Sequence, residues 1–178
     1  MIRWKPGDPR EATSDMIRVN QAGEFGATRI YGGQLAVMAD RVRDSRSIAG
    51  MAQQEERHRE FFDRMMAERG VRPTALQPFW HVAGFALGAA TAAISPEAAM
   101  ACTAAVETEI DDHYARQLER LGDDDPELSQ AVSQFRDEEL EHLDTAMQSG
   151  AENAPAYALL SGLIRAGCRV AIGLSKRI

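Results

Sequence analysis

Glu55-Glu56-Arg57-His58 and its later echo Glu139-Leu140-Glu141-His142 decide the reading of this chain. Each contains Glu-x-x-His. Residues three apart share one face of a helix, so each word places a carboxylate and an imidazole where they can grip one metal ion. One such pair in a Glu-rich chain carries little weight. Two carry more, because each follows a lone Glu at nearly the same distance: Glu24 stands 31 residues before Glu55, and Glu107 stands 32 before Glu139. The chain reads twice as Glu, a helix-length gap, then Glu-x-x-His. Four helices would bring Glu24, Glu55, His58, Glu107, Glu139 and His142 to one interior, the ligand pattern of dimetal carboxylate bundles.

The apolar periodicity around these words predicts helices and sets their phase. A first helix is expected over about 15–43, capped by Thr13 or Ser14, with Ile17, Glu24, Tyr31 and Met38 recurring every seven residues. Gly23, Gly26, Gly32 and Gly33 are costly inside it, and a close helix–helix contact is the expected compensation. A second helix over about 46–69 ends at Gly70 and presents Ile48, Met51, Glu55, His58, Phe62 and Met65. Ser95-Pro96-Glu97 starts a helix running to about Leu121, with the stripe Met100, Thr103, Glu107, Ile110, Tyr114, Leu121. Asp125-Pro126 opens the next, to about 148, with Leu128, Val132, Phe135, Glu139, His142 and Ala146 inward. In every case the Glu or His stands where the pattern demands an apolar residue. Glu56, Arg57 and Arg59 fall off the buried face of the second helix. Phase likewise makes Glu139 the inward partner of His142 and points Glu138 and Glu141 elsewhere.

Two further stretches are apolar. From Phe79 to Ile94 there is no Asp, Glu, Lys or Arg. That is short for a membrane span, which needs about 20 residues. It reads equally as a buried crossover helix or as one lying in a membrane interface or lining an apolar channel. After Pro155 a final helix over about 156–175 has no acids, while Arg165, Arg169, Lys176 and Arg177 give the tail a basic side suited to a membrane surface or to packing on the bundle. Residues 1–12, broken by Pro6, Gly7 and Pro9, read as an irregular arm without the apolar core of a signal peptide, and 13–178 as one domain. The formal charge of -7 argues against nucleic-acid binding. Cys102 and Cys168 read as small buried hydrophobes in a reducing compartment.

Four inward carboxylates and two histidines are best explained by a shared charge sink, because a carboxylate in an apolar stripe is expensive unless it is paired or metal-bound. Two divalent cations would balance four carboxylates. Imidazole and carboxylate without thiolate suit iron or manganese. Tyr114, two turns beyond Glu107, fits a core aromatic by spacing and is also the candidate relay for an electron or proton. His113 adjoins it, and both His113 and His81 otherwise read as ordinary polar side chains. Met51, Phe62, Met100 and Phe135 would keep the centre dry.

At these residues the chain resembles the demethoxyubiquinone hydroxylase family, the di-iron monooxygenases of ubiquinone biosynthesis. The matching words are Asn20-Gln21-Ala22-Gly23-Glu24-Phe25-Gly26-Ala27, Arg29-Ile30-Tyr31 with Gly33-Gln34, Gly84-Phe85-Ala86-Leu87-Gly88, Met100-Ala101-Cys102-Thr103, Val106-Glu107, Phe135-Arg136-Asp137-Glu138-Glu139-Leu140-Glu141-His142, and the tail from Ala154-Pro155-Ala156-Tyr157 to Ala166-Gly167-Cys168-Arg169-Val170-Ala171-Ile172. The resemblance runs from about residue 13 to the C-terminus and implies an all-α, ferritin-like four-helix bundle with a long apolar crossover helix and an additional C-terminal helix. It implies two iron ions at the six residues, with molecular oxygen hydroxylating the ring of a polyprenyl quinone to give demethylubiquinone. NADH is the implied reductant, although no Gly-x-Gly-x-x-Gly follows a strand. The implied setting is peripheral, on the cytoplasmic face of a bacterial inner membrane or the matrix face of the mitochondrial one, beside other ubiquinone-biosynthesis proteins. A ferroxidase or iron-storage bundle is the alternative within the fold class. A membrane-associated helical scaffold whose acids bind no metal is the non-enzymatic one.

Overall fold

A computed structural model describes residues 13–38 and 43–176; the 1–12 arm lies outside the described residues. Six α-helices account for most of them: α1 Ser14–Met38, α2 Arg43–Arg69, α3 Gln77–Ile94, α4 Pro96–Leu121, α5 Pro126–Gln148 and α6 Tyr157–Ser175, with a 3-10 turn at Ala151–Asn153 before α6. α1 pairs with α2 and α4 with α5, and the two pairs face each other as a four-helix bundle. Short links make each pair antiparallel neighbours.

The start signals at Ser95 and Asp125 and the stop at Gly70 hold, whereas α1 ends at Met38 rather than near 43 and α2 already includes Arg43; 39–42 lie outside the described residues. Ser95 accepts a hydrogen bond from the Ala98 amide at 3.1 Å with Pro96 behind it, and Asp125 caps α5 from the Leu128 amide at 3.3 Å. Asp125 also receives Arg69 from the last turn of α2 and Thr13 at the start of α1, so one buried carboxylate ties three helix ends together. Gly70 and Gly122, both at positive φ, end α2 and α4.

Two apolar layers fill the bundle. One gathers Tyr31, Met38, Ile48, Met51 and Met100; the other gathers Ile17, Phe62, Met65, Tyr114, Leu128, Val132 and Phe135. Glu24, Glu55, Glu107 and Glu139 fall between them, because each lies midway along its helix's inward stripe.

α3 and α6 lie outside the four helices. α3 crosses α1 with its backbone almost in contact: a Cβ on Gly88 would sit 1.9 Å from the Ile30 carbonyl oxygen, and one on Gly33 would sit 2.1 Å from that of Phe85. Of the four α1 glycines, Gly33 alone would drive its own Cβ into α3; Gly23, Gly26 and Gly32 have open space around their Cβ positions, although the Gly26 carbonyl oxygen lies 3.0 Å from where Gly84 would carry a Cβ. α3 is not a buried crossover. Phe79, Val82, Phe85 and Ile94 are exposed along it, and only Gly88, Thr91 and Ala92 are buried. α6 packs mainly on α4 and exposes Leu159, Leu163, Val170 and Leu174. By length and composition α6 is also apolar enough to cross a membrane.

Candidate metal centre

The six residues of the two repeats converge, and none is more than 2% exposed. Their donor atoms form two groups, Glu24, Glu55, His58 and Glu139, and Glu55, Glu107, Glu139 and His142, each with its atoms within 4.8 Å of one another. Glu55 and Glu139 belong to both groups, which the spacing alone left open. His58 Nδ1 lies 3.2 Å from Glu139 Oε1 and 3.6 Å from Glu24 Oε2. His142 Nδ1 lies 3.0 Å from Glu139 Oε2 and 3.2 Å from Glu55 Oε1. Both rings therefore turn Nδ1 inward.

The donor set fits a pair of cations. Glu24 Oε2, both oxygens of Glu55 and Glu107 Oε2 are buried without a hydrogen-bond partner. A buried polar atom left so is costly, and several facing one another call for positive charge between them. Burial, followed by repulsion from Glu139, pushes Glu55 and Glu107 far above the usual carboxylate range. Burial would raise Glu139 too, but hydrogen bonds to His142 and His58 hold it at about 2. Burial opposes the imidazolium of His58, yet Glu139 and Glu24 outweigh it and raise that ring to about 11. A cation entering the site displaces protons, so its affinity climbs with pH.

Two tyrosines bind the outer carboxylates crosswise. Tyr114 of α4 donates its hydroxyl to Glu24 Oε1 of α1, and Tyr31 of α1 donates to Glu107 Oε1 of α4 at 2.7 Å. Burial, then the nearby carboxylates, raises both phenols well above their ordinary value. Tyr114 was legible from its place two turns beyond Glu107. Tyr31 stands two turns beyond Glu24, and the internal repeat was the signal that could have found it.

Glu138 corrects the phase argument. It does not simply point away: its Oε2 lies 3.0 Å from His58 Nε2, on the outer side of the ring. Gln54 does the same for His142, with its Oε1 2.9 Å from Nε2. His113 is buried but bonds Asn20 and Gln117 rather than any of the six. Burial, then nearby cations led by Lys176, lowers its pKa to about 4, so the ring is neutral. His81 is exposed and Cys102 buried; neither belongs to the two groups.

Beside the centre lies an apolar cavity of about 500 Å³ between α1, α3, α4 and α6. Gly23 and Ala27, flanking Glu24, form part of its wall, as does Val106, next to Glu107. Among the described residues, Glu109 is its one charged lining residue. Glu109 Oε1 accepts from Arg165 Nε at 2.7 Å and Arg169 Nη1 at 2.9 Å. Two of the four tail bases thus serve a buried acid on α4, which α6 read alone could not reveal.

Residues 11–175 match the family described as ubiquinone biosynthesis protein COQ7. The chain belongs to the COQ7 family. It is 51% identical over 175 residues to the 3-demethoxyubiquinol 3-hydroxylase of Rhodospirillum rubrum, covering 97% of this chain and 82% of that one. It is 51% identical over 173 residues to the human mitochondrial NADPH-dependent 3-demethoxyubiquinone 3-hydroxylase, covering 95% and 79%. The mitochondrial 5-demethoxyubiquinone hydroxylase of Saccharomyces cerevisiae is 42% identical over 179 residues, covering 92% and 77%. The bundle, with α3 and α6 laid against it, is the ferritin-like fold of the COQ7 family.

Proposed function

We propose that this chain is a di-iron monooxygenase that hydroxylates the ring of a demethoxyubiquinone with molecular oxygen, at a membrane surface. The observation that carries the reading is the set of buried, unpartnered carboxylate oxygens between two histidines, one helix wall away from an apolar cavity. Glu24, Glu55, His58 and Glu139 would hold one iron, and Glu55, Glu107, Glu139 and His142 the other. Iron bound there would relay the reductant's electrons to oxygen and supply the oxidising power for inserting one oxygen atom into a C–H bond of the substrate ring.

The chain's own residues do the rest. Tyr31 and Tyr114 orient the outer carboxylates and hold a proton at each hydroxyl. Phe135 lies over the His58 ring with centroids 4.0 Å apart, and Met51 and Phe62 are buried in the layers on either side, so water is kept away. The cavity offers apolar walls to the tail of a polyprenyl quinone, with its ring toward Glu24 and Glu107. The exposed apolar residues of α3 and α6 flank the cavity and suit contact with the lipid that holds such a substrate. Electrons come from a reduced nicotinamide; the mammalian relatives' names specify NADPH where the sequence resemblance implied NADH.

The test is turnover of a short-chain demethoxyquinone by the iron-loaded protein under isotopically labelled oxygen. One labelled atom should enter the hydroxylated ring. Label arriving from water instead overturns the oxygenase reading.

A further inference from the structure

The two histidines are alike on the inside of the site and different on the outside. Each turns Nδ1 to the carboxylates and Nε2 to a residue of the opposite motif helix. Behind His58 stands the carboxylate of Glu138, with Oε2 3.0 Å from Nε2; behind His142 stands the amide oxygen of Gln54, 2.9 Å from Nε2. Residues 54 and 138 are counterparts in the repeat, since each immediately precedes the Glu of its Glu-x-x-His. Gln134 donates to Glu138 Oε1 at 3.0 Å, and Gln54 Nε2 lies 3.5 Å from Glu138 Oε2, so the carboxylate is held in place behind the ring. The side chain of Glu138 is 22% exposed and belongs to neither donor group.

A histidine that ligates through one nitrogen is oriented and made a stronger donor by what accepts from the other, and an ionised acceptor does this more strongly than a neutral one. We propose that Glu138 is a positioning residue that makes the two metal positions unequal. The position of Glu24, Glu55, His58 and Glu139 binds its ion more tightly than that of Glu55, Glu107, Glu139 and His142, and fills first. This rests on the two-metal reading above.

The test is anaerobic titration of the metal-free protein with cobalt(II), whose visible absorption and binding heat report each ion without turnover. The wild-type chain should fill in two resolved steps. Glu138→Gln should weaken the tighter step by roughly 10–100-fold, the usual cost of losing a partner behind a ligating histidine, and leave the weaker one in place. Gln54→Glu should tighten the weaker step. The double exchange Glu138→Gln with Gln54→Glu conserves charge and shape. It should restore two unequal steps with the order reversed, so that the first equivalent shows the spectrum of the second wild-type one. Two equal steps in the wild type, or an unchanged tighter step in Glu138→Gln of unaltered thermal stability, overturn the inequality but not the two-metal reading. A wild-type chain that takes up no cobalt overturns that reading itself.

Discussion

α1 with α2 and α4 with α5 carry the same residues in the same order: a Glu, a Tyr seven residues later, then Glu-x-x-His. Their inner faces form a near-symmetric set in which each Tyr serves the other half's Glu. Away from that set the halves diverge. Behind the histidines, Glu138 answers Gln54. On the outside, α3 lies on α1 through glycine backbone, whereas α6 is pinned to α4 by two arginines on Glu109. The difference teaches that the repeat governs what gathers the charges, while the departures from it create the cavity and the unequal surroundings of the two rings.

The largest effect expected from breaking this comparison is at the histidines. His58→Ala and His142→Ala should each lose iron and activity, by more than the roughly 10–100-fold that loss of a ligand's partner costs. Glu56→Ala and Glu141→Ala, exposed members of the same words, should keep both. Iron analysis after anaerobic loading decides this, and retention of about two ions per chain by both His variants would remove the assignment.

Next come the lone carboxylates. Glu24→Gln and Glu107→Gln keep shape and fold but leave each outer position with a weaker donor, so each should weaken the affinity of its own position by a similar factor and lower turnover. A large difference between the two would show that the inner faces are not equivalent.

A smaller effect, on stability alone, tests the outer asymmetry. Gly88→Ala drives a methyl group into the Ile30 carbonyl. It should cost about 1–3 kcal/mol as overpacking, seen as a melting temperature lower by roughly 2–4 °C per kcal/mol. Gly32→Ala, with open space around it, should not lower the melting temperature.

The smallest separates the tyrosines. Tyr31→Phe and Tyr114→Phe each remove one hydrogen bond to a carboxylate, worth about 0.5–1.5 kcal/mol net, and should weaken iron binding alike. If Tyr114 also relays an electron or proton, its variant alone slows single-turnover reduction. Equal rates would return Tyr114 to the carboxylate-orienting role it shares with Tyr31.

Much of this was legible in the sequence because helical periodicity is local. The 3.6-residue repeat dictates which of Glu55 and Glu56, or Glu139 and Glu141, faces inward, and Ser95-Pro96 and Asp125-Pro126 mark helix starts through bonds to their own backbone. The six converging residues and the four-helix bundle follow from that phase. The crossings between helices do not. Only the tertiary structure decided that Glu55 and Glu139 are shared, that both rings turn Nδ1 inward, and that Glu138 and Gln54 stand behind the opposite histidines. It also decided that Gly33 and Gly88 rather than Gly23 carry the close contact, and that Arg165 and Arg169 meet Glu109. Those facts depend on the distance and angle at which two helices meet, and no single helix's sequence contains them.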